Sequence, residues 1–254
     1  MILDSFRLDG KVALVTGANR GLGQGAAIAL AEAGADVALL GRGDPAETAD
    51  HIRGLGRRVH VLRRDLGTAT AADLQADVAE AIEALGRLDI LVNNAGTIRR
   101  APASDYSESD WSAVLRVNLD AVFHLSQAAG RHMVERGSGR IITVASMLSF
   151  QGGVLVPAYT ASKHAIAGLT KALANEWAAS GVTVNAIAPG YMATDNTAAL
   201  RADPERERSI SGRIPAGRWG TPGDLQGAFV FLASDAAAYV TGTVLPVDGG
   251  WLVR

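Results

Sequence analysis

Hydrophobic residues along the chain form short, nearly continuous apolar runs that alternate with longer stretches of mixed polarity. Short runs of this kind predict strands that are buried on both faces, and the longer stretches predict helices, such as those that capping signals open at 44–47 and 221–224. The alternation indicates an α/β fold in which helices cover both faces of a parallel sheet. The predicted strands span residues 11–17, 36–41, 58–62, 88–94, 140–146, 182–188 and 243–248.

Two features depart from this regular alternation. Pro246 lies in the last predicted strand and has no N–H to donate, so we expect that strand at an edge of the sheet. Residues 190–220 form a polar, charged connection that is much longer than usual. We interpret this segment as a lid over a binding site; the alternative is a surface excursion with one short helix near 203–211.

Composition indicates one domain over residues 1–254 and excludes several classes of partner. The chain has 48% hydrophobic residues, a net charge of -2 and no basic stripe, which argues against a nucleic acid or an anionic membrane surface as partner. No apolar run approaches the length of a bilayer span, and the acidic N-terminus lacks a secretory signal. The absence of cysteine agrees with a cytoplasmic protein. The five histidines show no ligand spacing, so we predict no metal.

A glycine-rich turn follows the first predicted strand. In "TGANRGLGQG", Gly17, Gly21 and Gly23 lead directly into a helical stretch. Glycines here allow the backbone to approach a pyrophosphate, and the N-terminus of a helix favours an anion. The spacing is G-x-x-x-G-x-G, and close packing of strand against helix is the alternative explanation.

Three further clusters follow other predicted strands: "NNAG" at 93–96, Ser146, and "PG" at 189–190. Each could be an ordinary turn. In a parallel sheet, however, the carboxyl ends of the strands share one edge, where ligands bind. The coincidence of four such clusters therefore predicts a site at that edge.

Tyr159 and Lys163 are four residues apart in a helical pattern and so lie on one face of a helix. A nearby ammonium favours a phenolate, so we expect Lys163 to lower the pKa of Tyr159 and make it a general acid–base. Ser146 could hydrogen-bond the same substrate oxygen. The alternative is a solvated helix face beside a strand terminus.

Taken together, "TGANRGLG", "NNAG", Ser146, "YTASK" and "PG" resemble the short-chain dehydrogenase/reductase family in order and spacing across essentially the whole chain. The resemblance implies a doubly wound (Rossmann) seven-stranded parallel sheet, a nicotinamide cofactor and, most often, a homotetramer. It implies that Lys163 holds the cofactor ribose and that Asn118 holds a water that relays protons to Lys163. The implied catalytic residues are Asn118, Ser146, Tyr159 and Lys163.

The same resemblance implies the cofactor contacts. Arg42 stands after the second strand, where an acidic residue would bind the ribose of NAD; an arginine can instead receive the 2′-phosphate of NADP or stack on adenine, so both cofactors stay open. The full set of expected cofactor residues is Gly17, Asn19, Arg20, Gly21, Leu22, Gly23, Arg42, Asp65, Leu66, Asn94, Ala95, Gly96, Tyr159, Lys163, Pro189, Gly190 and Thr194.

A narrower resemblance lies in segments that flank the site, which are similar to the branch of the family that oxidises deoxy and keto-deoxy sugar acids: "NNAGTIRR", "ASMLSFQGG", "LANEWA", "NAIAPGYMATDNTAALRADPER" and "RIPAGRWG". The predicted function is hydride transfer between NAD or NADP and a secondary hydroxyl or ketone of such an acid. A 3-oxoacyl thioester reductase and a non-catalytic NAD(P)-binding regulator are the alternatives. Arginines at 206, 208 and 213 are interpreted as solvated charges. The expected substrate contacts are Arg99, Arg100, Ser146, Gln151, Tyr159 and Tyr191.

Overall fold

The computed structural model describes residues 1–254 apart from the side chain of Asn196, and within them seven strands form one parallel sheet. The strand order is β3-β2-β1-β4-β5-β6-β7, which confirms the predicted doubly wound fold. The strands are β1 (Val12–Thr16), β2 (Asp36–Gly41), β3 (Val59–Arg63), β4 (Ile90–Asn93), β5 (Gly139–Val144), β6 (Val182–Pro189) and β7 (Val244–Val247).

Helices cover both faces of the sheet, which explains why the strands have apolar side chains on both sides. In β1, Ala13 and Val15 pack in a core beneath the helices of one face, whereas Val12 and Leu14 pack in a second core beneath the helices of the other face. The helices among the described residues are α1 (Gly21–Glu32), α2 (Ala46–Gly54), α3 (Ala71–Leu85), α4 (Glu108–Leu115), α5 (Ala121–Glu135), α6 (Pro157–Trp177), α7 (Ala198–Ala202), α8 (Pro204–Ser211) and α9 (Gly223–Ala233).

Neither predicted capping signal supplies a side-chain cap. Helix α9 follows Pro222 without one, although the Asp224 carboxylate accepts from the Thr221 N–H at 2.7 Å. Helix α2 follows Pro45, and no side chain caps its first N–H groups. The Asp44 carboxylate instead accepts a hydrogen bond of 2.6 Å from the Arg63 guanidinium at the end of β3. An ion pair with the neighbouring strand has therefore replaced the local cap.

The last strand and the long connection lie together at one side of the sheet. β7 is an edge strand, as Pro246 predicts, and it pairs only with β6. The 190–220 segment contains two short helices, α7 and α8, where the sequence indicated one at most. A bridge between Met192 and Gly220 closes its base.

The described residues contain neither a candidate membrane-spanning helix nor a candidate metal site. None of their helices combines the length and apolarity needed to cross a bilayer. No three His, Asp or Glu side chains among them stand close enough together to share a metal ion.

Candidate active site

The glycine turn after β1 and the NNAG loop after β4 are locked together by side chains. The Thr16 hydroxyl accepts hydrogen bonds from the backbone N–H groups of Asn94 and Ala95, both at 2.9 Å. The Asn94 amide donates back to the Thr16 and Gly17 carbonyls, at 2.9 and 3.3 Å. Sequence reasoning missed Thr16, although its place directly before the turn is a usable signal.

Glycines are required in this turn for two different reasons. Gly17 and Gly21 take left-handed φ angles of +67° and +61°, which glycine adopts without strain. At Gly23, a Cβ atom would lie 2.3 Å from both the Asn94 amide nitrogen and the Gly17 carbonyl oxygen. The bare backbone opens α1, whose first N–H groups have no partner within the helix. These residues therefore fit the pyrophosphate of a dinucleotide.

Other expected cofactor residues surround this turn. Arg20 reaches across to Asp195, with 2.9 Å between Nη1 and Oδ2, and the Thr194 methyl lies 3.8 Å from where a Gly21 Cβ would stand. The Leu22 side chain packs partly buried against the core that includes α1 and α9. The structure thus brings the start of the 190–220 segment to the N-terminus of α1.

The side of the turn nearest β2 and β3 carries the groups expected at the adenosine end. Asn19 packs on Gly43, where a Cβ would lie 2.5 Å from its amide nitrogen. Arg42 is exposed, and its Nη1 lies 3.5 Å from Asp65 Oδ2. The Leu66 side chain is buried in the core, so only its backbone is available to a ligand.

Three of the four expected catalytic residues converge at the end of β5. Ser146 follows this strand, and its hydroxyl accepts from the Leu148 N–H at 3.1 Å. Lys163 is buried on α6; its ammonium donates to the Val144 carbonyl at 2.6 Å and lies 5.5 Å from the centre of the Tyr159 ring. The serine, tyrosine and lysine therefore form one group.

Asn118 is linked to this group through Thr97 and Ser162. It is buried in a π-helical turn, Arg116–Asp120, between α4 and α5, where the sequence predicted ordinary helix. Its Oδ1 accepts from the Thr97 N–H at 2.8 Å, and its Nδ2 donates to the Thr97 carbonyl and the Ser162 hydroxyl. Gly96 lies against the same Oδ1. Asn118 thus ties the NNAG loop to α6; its role with a relay water stays a prediction.

Burial controls the proton affinity of both α6 residues. It lowers the pKa of the Lys163 ammonium to about 8. Burial raises the pKa of the Tyr159 phenol, while its hydrogen bond with Ser146 and the positive charge of Arg100 act in the opposite direction. The expected lowering of this pKa by Lys163 is wrong here, because the cost of removing the phenolate from water outweighs the neighbouring charges.

The expected substrate residues separate into two groups. Arg99 is turned away toward Asp110, with 3.4 Å between Nε and Oδ1, whereas Arg100 is near enough to Tyr159 to act on its pKa. Gln151 and Tyr191 both contact Trp251: the indole N–H donates to Gln151 Oε1 at 3.3 Å, and the Tyr191 ring stands edge-on at 4.7 Å. Sequence reasoning missed Trp251, and only its place after two glycines hinted at a special turn.

The end of β6 is shaped by close backbone approach. Pro189 is the last residue of the strand, and a Cβ on Gly190 would lie 2.6 Å from the Asp248 Cα. The Asp248 carboxylate in turn accepts from the N–H groups of Gly250 and Leu252, both at 2.9 Å. The predicted "PG" cluster is therefore the place where the end of β6 packs against the C-terminal turn, residues 248–252.

A family model described as enoyl-(acyl carrier protein) reductase matches residues 17–252, which is almost the whole chain. The chain belongs to the short-chain dehydrogenase/reductase family. As a member of this family it is an NAD(P)-dependent oxidoreductase, which agrees with the glycine turn and the serine–tyrosine–lysine group.

Similar members of the family bear the names of sugar-acid dehydrogenases. The 2-dehydro-3-deoxy-D-gluconate 5-dehydrogenase of Escherichia coli (strain K12) is 53% identical over 255 residues, with both chains fully covered. A crystal structure from Agrobacterium tumefaciens assigned as a 2-deoxy-d-gluconate 3-dehydrogenase, with bound NADP, is 52% identical with a TM-score of 0.93, covering 98% of this chain and 99% of that one. A gluconate 5-dehydrogenase from Burkholderia cenocepacia, in complex with NADP and tartrate, is 41% identical with a TM-score of 0.95 over both whole chains.

Lys163 makes the stability of this dehydrogenase depend on pH. Because folding lowers its pKa from 10.5 to about 8, the unfolded chain binds more protons between those pH values. The cost of burying the charge is fully present below pH 8 and is relieved as the pH rises toward 10.5. We expect the free energy of unfolding of Lys163→Met, minus that of the parent, to be about 3 kcal/mol larger at pH 7 than at pH 10.5 in urea denaturation.

The matched control is Lys171→Met, because Lys171 is exposed on the same helix. Its difference from the parent should stay constant over this pH range. A difference for Lys163→Met that is equally constant would contradict the buried, charged state of Lys163.

Proposed function

We propose that this enzyme transfers a hydride between NAD(P) and a secondary hydroxyl or ketone of a sugar acid. The observation that carries this proposal is the set of polar groups beside the serine–tyrosine–lysine group: the Arg100 charge acts on the Tyr159 phenol, and Gln151 and Tyr191 lie together at Trp251. A substrate rich in oxygen atoms matches such groups. The names of the similar enzymes support the same substrate class.

The residues of the chain supply proton transfer and positioning. When bound, the nicotinamide ring donates the hydride in reduction and accepts it in oxidation. In reduction, the Tyr159 phenol gives its proton to the carbonyl oxygen of the substrate, and in oxidation its phenolate takes the hydroxyl proton. Ser146 holds that oxygen by a hydrogen bond, and the Lys163 ammonium binds the ribose hydroxyls.

The glycine turn and its neighbours would hold the remainder of the dinucleotide. Gly17, Gly21 and Gly23 fit the pyrophosphate, and Asn94, Ala95 and Gly96 line the adjoining loop. Burial raises the pKa of Tyr159, so the phenol carries its proton at neutral pH.

Initial rates with NAD and NADP, crossed against 2-deoxygluconate, gluconate, 2-keto-3-deoxygluconate and an acetoacetyl thioester, test this proposal. We expect turnover only with sugar acids. Tyr159→Phe should lose about 10²- to 10⁴-fold in rate, because it removes the proton donor, and should retain cofactor binding. Retained turnover in Tyr159→Phe would remove the tyrosine from the mechanism, and activity confined to the thioester would refute the substrate class.

Reduction of a carrier-bound acyl ketone is the second candidate. The description of the matching family model names an acyl carrier protein substrate, and the exposed apolar residues Phe150, Val154 and Leu155 precede α6 directly. Against this candidate, the 190–220 segment is rich in charged side chains. A regulator without catalysis would not need the serine, tyrosine and lysine, all of which are present.

We infer that NADP is the preferred cofactor. Arg42 follows β2, its side chain is 81% exposed, and its ion pair with Asp65 is long at 3.5 Å, so the guanidinium is accessible to a 2′-phosphate. Similar structures bind NADP. Arg42→Gln should raise KM for NADP about 10- to 100-fold and leave KM for NAD unchanged in steady-state kinetics.

Arg53→Gln is the control for this prediction, since Arg53 is exposed on α2 and pairs with Asp50. Equal losses with both cofactors in Arg42→Gln would show instead that Arg42 stacks on adenine.

We also propose a cytoplasmic homotetramer in which 190–220 is the substrate lid of a single domain. A nicotinamide-dependent enzyme draws on the cytoplasmic cofactor pool.

Exposed aromatic rings on α4 (Trp111) and α5 (Phe123), together with the edge strand β7, offer surfaces that other copies of the chain can cover. Light scattering during gel filtration should give four chain masses, and a purely monomeric protein would contradict the assembly.

A further inference from the structure

Trp251 is buried and tightly packed although only three residues follow it in the chain. Its side chain is 4% exposed and belongs to an apolar cluster with Met147, Ile210 and Ile214, here called the Trp251 cluster. The Asp248 carboxylate fixes the turn through two backbone N–H groups. Packing and these hydrogen bonds therefore hold the indole in one orientation beside the site.

The Trp251 cluster adjoins the reacting groups. Met147 directly follows the catalytic Ser146, and the Gln151 N–H donates to the Met147 carbonyl at 3.2 Å. Tyr191 follows the close contact of Gly190 at the end of β6 and packs on the same indole. The cluster thus joins the loop after β5, the loop after β6 and the 190–220 segment.

The indole sets the direction of the Gln151 amide. An indole N–H can only donate, so the oxygen of the amide must face it, as the 3.3 Å contact shows. The two N–H donors of Gln151 then have no partner among the side chains and backbone groups that the structure describes. An amide held this way offers donors to an oxygen atom of a ligand.

The face of the same indole holds Arg213. The guanidinium carbon lies 3.9 Å from the ring centre, a cation–π contact, and no carboxylate of a described residue pairs with it. The stacking leaves the N–H edge of the guanidinium available, which is the edge that binds a carboxylate by two parallel bonds. Arg213 is exposed, as expected of a solvated charge, and its guanidinium is in addition placed by Trp251.

Arg100 and Arg213 stand in different parts of the site. The charge of Arg100 acts on the Tyr159 phenol, so Arg100 belongs to the side of the site nearer the serine–tyrosine–lysine group. In a sugar acid the carboxylate is separated from the reacting carbon by further carbons of the chain, so its partner must stand away from that oxygen. Arg213 is suited to that role, since it stacks on Trp251 from the 190–220 segment, whereas Arg100 follows the NNAG loop.

We propose that Trp251 is a positioning residue that selects sugar acids by directing the Gln151 amide and the Arg213 guanidinium, with Arg213 binding the substrate carboxylate. This inference rests on the proposed function. It makes the C-terminal turn part of the substrate site and assigns acid specificity to the 190–220 segment.

The test compares a sugar acid that the parent enzyme turns over with the polyol in which CH₂OH replaces the carboxylate. Arg213→Gln should lower kcat/KM for the acid about 10- to 100-fold and that for the polyol less than about threefold. Trp251→Phe keeps the ring but removes the N–H, so it should raise KM for both about threefold to tenfold at unchanged kcat. Gln151→Leu should reproduce this rise in KM with the indole intact.

Arg206→Gln is the control, because Arg206 is exposed on α8. This substitution should leave kcat and KM for both compounds unchanged. An undiminished preference for the acid in Arg213→Gln overturns the inference. A lower affinity for NADP or a lower melting temperature of Trp251→Phe would also overturn the inference, since either result would indicate a structural role for Trp251. A parent enzyme that turns over no sugar acid refutes the proposed function and this inference together, whereas an active parent with an unaffected Arg213→Gln refutes the inference alone.

Discussion

Parallel pairing of the seven strands is the constraint on which the site depends. Because both faces of the sheet are packed against helices, the strands cannot shift register without repacking both cores, and their carboxyl ends stay aligned at one edge. The turns after β1, β4, β5 and β6 meet there, and each is fastened by contacts between segments. The Thr16 hydroxyl joins the first two, and the approach of Gly190 to Asp248 joins the last to the C-terminus.

Burial shifts the pKa values of the two titratable residues at this edge, Lys163 and Tyr159. The Lys163 ammonium is bonded to the backbone carbonyl of Val144, and burial is the cause that lowers its pKa. A carbonyl orients an ammonium without neutralising it, so the positive charge stays available to a ligand. Tyr159 is pushed the other way, toward its neutral form. The two neighbours on α6, whose pKa values lie within about one unit of each other in water, are thus moved apart, and the phenol holds its proton more tightly than the ammonium does.

Local patterns were enough to predict the sheet, the edge position of β7 and the glycine turn. Apolar periodicity reports burial of strands, and a glycine at a positive φ or a Tyr-x-x-x-Lys pair on a helix is visible within a few residues. Thr16 and Trp251 were not predictable in the same way, because their partners lie about 80 and 100 residues away along the chain. The cap expected at Asp44 was lost to Arg63, which lies 19 residues further along the chain, on β3.

The π-helical turn at Arg116–Asp120 limits how this part of the chain can change in length. One extra residue in a helical turn advances the angular phase of everything that follows by about 100°. The faces of α4 and α5 are therefore out of step with a single uninterrupted helix. Removal of one residue there would rotate Trp111 relative to α5 and withdraw Asn118 from Thr97, so an insertion or deletion in this turn is more damaging than most substitutions.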